Sequence, residues 1–139
     1  MQDSTEFIAD AGLIAELEKR SELVRFRGGS LILFHQGDPP GGVYILRRGT
    51  VRLTMRSETG QVVFRIQVGP GSLLGLPAVI SNKPCTLTAE ALEHSEVSVV
   101  CREDFADMIR TNPEMSFKAL QVLAAEVRSM RHALLKRGQ

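Results

Sequence analysis

The chain has 139 residues, of which 43% are hydrophobic and 24% are charged, and its formal net charge is +1 at pH 7. This length and composition are typical of one folded domain with a hydrophobic core, and they exclude a disordered tail. The balanced charge gives no general attraction for a phosphate backbone, so nucleic-acid binding would need a local basic patch or a further domain. With one Tyr and no Trp, few rings are available for stacking on bases.

The sequence shows no membrane-spanning or secretory segment. Its longest uncharged stretch, residues 66–82, is interrupted by glycines and prolines and cannot form a membrane helix. The N-terminal residues are partly acidic and lack the apolar core of a signal peptide. We therefore expect a cytoplasmic protein without a membrane partner.

Hydrophobic spacing predicts three successive kinds of structure. Apolar residues three and four apart predict an N-terminal helix, for which we assign residues 1–20, with the helical pattern from Ser4 to Arg20. Residues 21–101 alternate between apolar and polar and are divided by turn sequences, which predicts seven or eight strands in a sandwich, barrel or jelly roll. A short helix is predicted over residues 102–112 and a long one over residues 113–137.

The long helix carries an apolar stripe with spacings of 3, 4, 3 and 4, formed by Leu120, Leu123, Val127, Met130 and Leu134. This spacing is that of a coiled-coil seam. A helix of ~24 residues is ~36 Å long, more than a β-domain of this size can cover. The stripe either packs on the sheet or pairs with a second copy of the chain, and we expect the second arrangement, a homodimer with parallel helices.

The order of these elements resembles the effector domain of the Crp/Fnr transcription factors, which is the cyclic-nucleotide-binding domain. The best match is residues 31–53, LILFHQGDPPGGVYILRRGTVRL. The family has an apolar strand, a Gly-Asp turn, an aromatic residue in the next strand and a Gly before the following one. Gly37, Asp38, Tyr44 and Gly49 occupy those places. The glycines permit tight turns, and Asp38 can accept hydrogen bonds from turn amides.

The resemblance implies an α+β, mainly β fold: a double-stranded β-helix (jelly roll) flanked by an N-terminal helix and a long C-terminal dimerisation helix. It implies a phosphate-binding cassette within residues 75–89, GLPAVISNKPCTLTA. Four positions match the cassette, namely Gly75, Ala78, Pro84 and Thr86. The family Glu that contacts the ribose is replaced by Leu76, and the Arg that pairs with the cyclic phosphate is replaced by Cys85.

These replacements bear on the ligand. A buried phosphate without a paired cation costs several kcal/mol, and Lys83, a flexible loop residue before Pro84, is a weak substitute for a planar guanidinium. On the long helix, Met130 and Arg131 stand where cAMP-responsive members have Thr and Ser against the base. We therefore expect no ordinary cAMP or cGMP binding, and either an unidentified, less charged small-molecule effector or no ligand. The candidate ligand-binding residues are Gly75, Leu76, Pro77, Ala78, Cys85, Thr86, Met130 and Arg131.

The cysteines and histidines bear on redox and metal chemistry. Cys85 is either a redox sensor with a thiol pKa lowered by loop amides or a small apolar filler, and we favour the filler. Cys101 ends an apolar strand and is expected in the core. His35, His94 and His132 lie in two turns and a helix without a His-x-His pair, so we expect no metal site and no enzyme.

The sequence thus predicts the ligand-sensing effector domain of a Crp/Fnr-family regulator that signals through its dimer helix. Members of that family bind DNA through a helix-turn-helix domain, which is absent from this chain and would begin where it stops at Gln139. The alternative is a stand-alone, degenerate cyclic-nucleotide-binding-like domain that serves as a dimerisation or docking module.

Overall fold

A computed structural model describes residues 2–4, 7–27 and 29–137. The described residues form nine strands and four helices: β1 Gln2–Ser4, α1 Ala11–Glu18, β2 Glu22–Phe26, β3 Leu31–Phe34, β4 Gly42–Arg48, β5 Val51–Arg56, β6 Val62–Val68, β7 Leu73–Leu74, α2 Leu76–Ser81, β8 Thr88–Ala91, β9 Ser95–Cys101, α3 Arg102–Thr111 and α4 Pro113–Arg137. A five-stranded sheet has the order β1-β6-β5-β8-β3, and a four-stranded sheet has the order β2-β9-β4-β7. The predicted mainly β jelly roll with a long C-terminal helix is confirmed.

Alternation along the strands separates a buried from a solvated face. In β5, Val51 and Leu53 are buried, whereas Arg52 between them faces outward. Arg52 is opposite Glu90 of β8 and lies 3.4 Å from its carboxylate. Cross-strand pairs of this kind stabilise the sheet. The alternation itself fixes the register of the strands, because a slip of one residue would expose the apolar face.

The apolar side chains form two clusters. The roll cluster fills the space between the sheets and contains, among others, Leu46, Leu53, Phe64 and Leu74. The helix cluster lies between the four-stranded sheet and the helices and is formed by Leu13, Leu17, Val43, Ile45, Leu73, Leu76, Val100, Phe105, Met108, Met115, Ala119, Val122 and their neighbours. Helix α4 contacts both, since its first half packs in the helix cluster and Met130 and Ala133 pack against the roll cluster.

The N-terminal segment corrects one prediction. The helix expected from Ser4 to Arg20 begins only at Ala11, and the backbone of residues 2–4 pairs in parallel with β6. Part of the predicted helix, residues 5 and 6, lies outside the described residues. The helix starts late because the Asp10 carboxylate accepts hydrogen bonds from the amides of Gly12 and Leu13, as an N-cap does.

The turn residues of the resemblance have the geometry that was expected of them. Asp38 accepts a hydrogen bond of 2.9 Å from the amide of His35. Gly49 has φ +97°, and a Cβ there would lie 2.8 Å from the Cα of Ser95. Glycine is thus required at position 49 for both conformation and space.

Helix α4 ends within the predicted bounds, but its apolar stripe is divided. Leu123 and Met130 are partly buried against the clusters of their own chain, whereas Leu120, Val127 and Leu134 are exposed. The buried side of α4 is formed instead by Met115, Ala119, Val122, Glu126 and Ser129. Pairing of α4 with a second copy stays a prediction.

Candidate ligand pocket

A cavity lies between the roll and helix α4, next to helix α2. Twelve of the described residues line it: Phe7, Phe34, Leu53, Leu74, Gly75, Pro77, Ala78, Cys85, Thr86, Leu87, Glu126 and Met130. Its volume is about 20 Å³, which is room for about one water molecule. Any larger ligand must therefore displace lining side chains or move α4 away from the roll.

Gly75 opens the α2 side of the cavity. It has φ +84°, and a Cβ at this position would meet the carbonyl oxygen of Gly42 at 2.8 Å. Its left-handed conformation turns the chain from β7 into α2, where Pro77 stands in the first turn. The segment at the predicted cassette thus begins with a glycine turn and a short helix, which place Pro77 and Ala78 along the cavity.

Cys85 is positioned by the Gly37–Asp38 turn. The amide of Gly37 donates to the carbonyl of Cys85 at 2.7 Å, and the amide of Cys85 donates to the carbonyl of Asp38 at 2.8 Å. This pair of backbone hydrogen bonds fastens the segment after α2 to the end of β3. The turn that carries the family resemblance thus fixes the residue that stands at the family's arginine position.

The ionisable groups among the described lining residues are two acids, Cys85 and Glu126. Burial raises the pKa of the Cys85 thiol, and the nearby charge of Asp38 raises it further. This direction is opposite to the lowered pKa of the redox hypothesis and agrees with the filler interpretation. Burial also raises the pKa of the Glu126 carboxyl well above its ordinary value of 4.5.

Glu126 was missed at the level of sequence. Its side chain is 2% exposed, and its Oε1 atom has no hydrogen-bond partner among the described residues. The spacing of Met115, Ala119, Val122, Glu126 and Met130 is 4, 3, 4 and 4, so an inward-facing stripe interrupted by one carboxyl was visible. The predicted coiled-coil seam follows another side of the same helix and shares only Met130 with this inward stripe.

Two predicted pocket residues do not line the cavity. Leu76 is fully buried in the helix cluster, because the first turn of α2 directs it toward α1 and the four-stranded sheet. Arg131 is exposed and lies beside Arg128 and His132 on the surface of α4. Lys83 is likewise exposed and absent from the lining. The other six candidates, Gly75, Pro77, Ala78, Cys85, Thr86 and Met130, are brought together around the cavity.

The remaining sequence candidates have other surroundings. Both thiols are unbridged, and Cys101 is exposed rather than in the core as predicted. It ends β9 and precedes α3, where the buried residue is its neighbour Val100. Within the described residues there is no cluster of His, Cys, Asp and Glu suited to a metal ion. No helix among them is long and apolar enough to cross a bilayer.

The sequence and the fold were compared with known proteins. The sequence model of the cyclic nucleotide-binding domain matches residues 23–112. The cyclic AMP receptor protein of Thermus thermophilus is 30% identical over 96 residues, which cover 69% of this chain and 44% of the relative. The CRP-like cAMP-activated global transcriptional regulator of Mycobacterium tuberculosis is 28% identical over 131 residues, covering 88% of this chain and 58% of the relative.

The solved structures agree. The crystal structure of Thermus thermophilus Catabolite Activator Protein matches with a TM-score of 0.72 at 25% identity, covering 91% of this chain and 58% of that one. The chain spans about half the length of the relatives described here. On this evidence the chain belongs to the cyclic nucleotide-binding domain family and is of the Crp/Fnr type.

Proposed function

We propose that this domain is the ligand-sensing module of a Crp/Fnr-type transcriptional regulator and that its pocket does not respond to ordinary cAMP or cGMP. The regulatory role is supported by the two relatives, whose names describe a cyclic AMP receptor and a cAMP-activated transcriptional regulator. DNA binding would belong to a helix-turn-helix domain outside this chain.

The observation that carries the ligand proposal is the absence of a cation from the described cavity lining. Cys85 occupies the position of the family's arginine, and the other ionisable lining group is the Glu126 carboxyl. A cyclic nucleotide would bring a phosphate monoanion into apolar surroundings with nothing to pair with it. Loss of such a charge-assisted contact typically costs ~2–5 kcal/mol, which is about one and a half to three and a half decades in affinity.

Signalling would proceed by a population shift of α4. A ligand between the roll and the helix would contact Met130 and Glu126 and favour one position of α4 over another. The outer side of the same helix exposes Leu120, Val127 and Leu134. If these pair with a second copy, a shift at the inner side changes how the two helices emerge from the dimer.

The test is calorimetric titration of the chain with cAMP and with cGMP. We expect no binding at micromolar concentration. Cys85→Arg restores the missing cation and should tighten cAMP binding by at least about tenfold, whereas Cys85→Ser, the matched control, should not. Micromolar binding of either nucleotide by the unaltered chain would show that this proposal about the ligand is wrong.

A second candidate function is favoured by the small volume of the cavity. A roll with room for about one water could have lost ligand binding altogether and act as a dimerisation or docking module through the exposed side of α4. In that case no small molecule should stabilise the folded chain, while its oligomeric state should depend on Val127 and its exposed neighbours.

A further inference from the structure

Among the described lining residues, Glu126 is the one with a buried polar atom that has no hydrogen-bond partner. Its carboxyl lies at the junction of the two apolar clusters, one helical turn after Val122 of the helix cluster and one turn before Met130 at the roll cluster. Its Oε1 atom has no hydrogen-bond partner among the described residues. A buried polar atom without a partner destabilises the fold and marks a place where a ligand or an ordered water is expected.

The residues around the Glu126 carboxyl determine which class of ligand can bind beside it. The rest of the described lining is mostly aromatic and aliphatic, with Phe7, Phe34, Leu53 and Leu87 on the roll side. Such a wall favours an apolar molecule and penalises any unpaired charge. The lining disfavours an anion for two reasons: its described residues include no cation, and one of them is an acid.

The raised pKa of Glu126 supports an uncharged ligand. Burial raises the pKa of this carboxyl, and Cys85, the other ionisable lining group, also has a raised pKa, so both acids are held toward their neutral forms. A protonated carboxyl donates one hydrogen bond and accepts others, and it can therefore bind an amide, a carbonyl or a hydroxyl group.

Met130 supplies the space that such a molecule needs. Its side chain lines the cavity and is only partly buried. Methionine is unbranched and flexible, and it changes rotamer at little cost compared with a branched side chain. Rotation of Met130 toward solvent would vacate a volume close to that of a butyl group beside the Glu126 carboxyl.

We infer that the pocket takes a small, uncharged and mainly apolar molecule whose single polar group forms a hydrogen bond with the Glu126 carboxyl. This inference rests on the proposed sensing function and specifies its ligand class. It assigns Glu126 as the residue that selects for a neutral polar group, in a place where the cassette offers no charged contact.

The test uses three four-carbon probes at neutral pH: butanamide, butanoate and butylammonium. Their binding to the 139-residue chain is measured by NMR chemical-shift titration. We expect butanamide to bind at least about tenfold more tightly than butanoate, because the anion lacks any counter-charge. Butylammonium should also bind more weakly than butanamide, since an ammonium must leave water to enter an apolar site.

Variants at position 126 separate the hydrogen bond from general packing. Glu126→Gln keeps a neutral hydrogen-bonding group and should retain butanamide affinity within about threefold, whereas Glu126→Leu should lose about three- to tenfold. Glu114→Leu, at an exposed position of the same helix, is the matched control and should change nothing. Urea midpoints confirm that each variant is folded.

Several results would overturn the inference. Preference for butanoate or butylammonium would assign an anionic or cationic ligand class instead. Equal butanamide binding by the parent and Glu126→Leu would show that Glu126 does not contact the ligand. Failure of butanamide to bind would show that the cavity does not take this class of ligand. None of these results depends on the cAMP and cGMP titrations, so the proposed function and the ligand class fail separately.

Discussion

Helix α4 presents two faces of opposite character, and both are unusual for an isolated domain. The inner face, with Val122, Glu126 and Met130, places a carboxyl where apolar side chains surround it. The outer face leaves Leu120 and Val127 more than half exposed, at 54% and 52%. A buried carboxyl and a row of exposed apolar residues each reduce the stability or solubility of a lone monomer.

The difference between the faces indicates two separate tasks. On the inner face, the Oε1 atom of Glu126 lacks a hydrogen-bond partner among the described residues, and a small molecule can supply one. The outer face lacks apolar cover, which a macromolecular surface can supply. Because one helix carries both faces, we propose that a ligand bound at the inner face alters the position of the outer face without any additional element. This arrangement matches the expectation for a family that signals through its dimer helix.

The largest effect is expected from a charge on the outer face. Val127→Glu would place two carboxylates in the centre of the predicted dimer seam, and we expect the dimer dissociation constant to rise about a thousandfold or more. Sedimentation equilibrium measures this change directly. Leu23→Glu is the matched control, because Leu23 is 47% exposed on β2, away from α4. If the two variants and the parent share one oligomeric state, the outer face is not the dimer interface.

The second-largest effect concerns the inner face of α4 and the pH dependence of the free energy of unfolding. The folded-state pKa of Glu126 lies above its ordinary value of 4.5, so the unfolded chain loses this proton first as the pH rises. The stability that protonated Glu126 contributes is therefore complete below about pH 4.5 and is lost as the pH rises toward the folded-state pKa.

Glu126→Gln removes this titration. The free energy of unfolding of the variant minus that of the parent should grow with pH above about 4.5, by at most ~1.4 kcal/mol per pH unit. Urea unfolding between pH 4 and pH 8, at one protein concentration, measures the difference. Cys85 stays outside this window because its own pKa is raised from 9.0. A difference that does not vary with pH would mean that folding does not raise the pKa of Glu126.

Much of the fold could be predicted from the sequence because local patterns dictate it. The alternation of apolar and polar residues predicted the strands of residues 22–101, and Gly49 and Asp38 indicated two of the turns between them. The bounds of α4 followed from Pro113 and the absence of helix-breaking residues up to its end. The start of α1 was missed, although Asp10 is a typical N-cap, because apolar spacing alone extended the helix too far.

The pocket was less predictable because it depends on which face of α4 meets the roll. Two apolar stripes follow this helix, and their spacing cannot tell which one is covered by the same chain. Leu76 and Arg131 were assigned by aligned position, whereas the side chains point to the helix cluster and to the surface. Glu126 has the sequence appearance of a solvated residue, and only tertiary packing buries it.

The smallest effect is expected for the alkylation rate of Cys85, whose thiol lies across the cavity from the inner face of α4. Cys85 is 7% exposed and its pKa is raised by burial, whereas Cys101 is exposed. Iodoacetamide reacts with accessible thiolates, so at pH 8 we expect Cys101 to be alkylated at least about tenfold faster than Cys85.

Mass spectrometry of peptides taken over time gives both rates in one sample, and Cys101 serves as the internal control. Butanamide in the cavity should slow the alkylation of Cys85 further and leave the rate at Cys101 unchanged, because only the former lines the pocket. Comparable rates at the two thiols would show that the roll and the inner face of α4 separate readily in solution. The cavity would then be open to solvent, and the burial that raises the pKa of Glu126 would be lost with it.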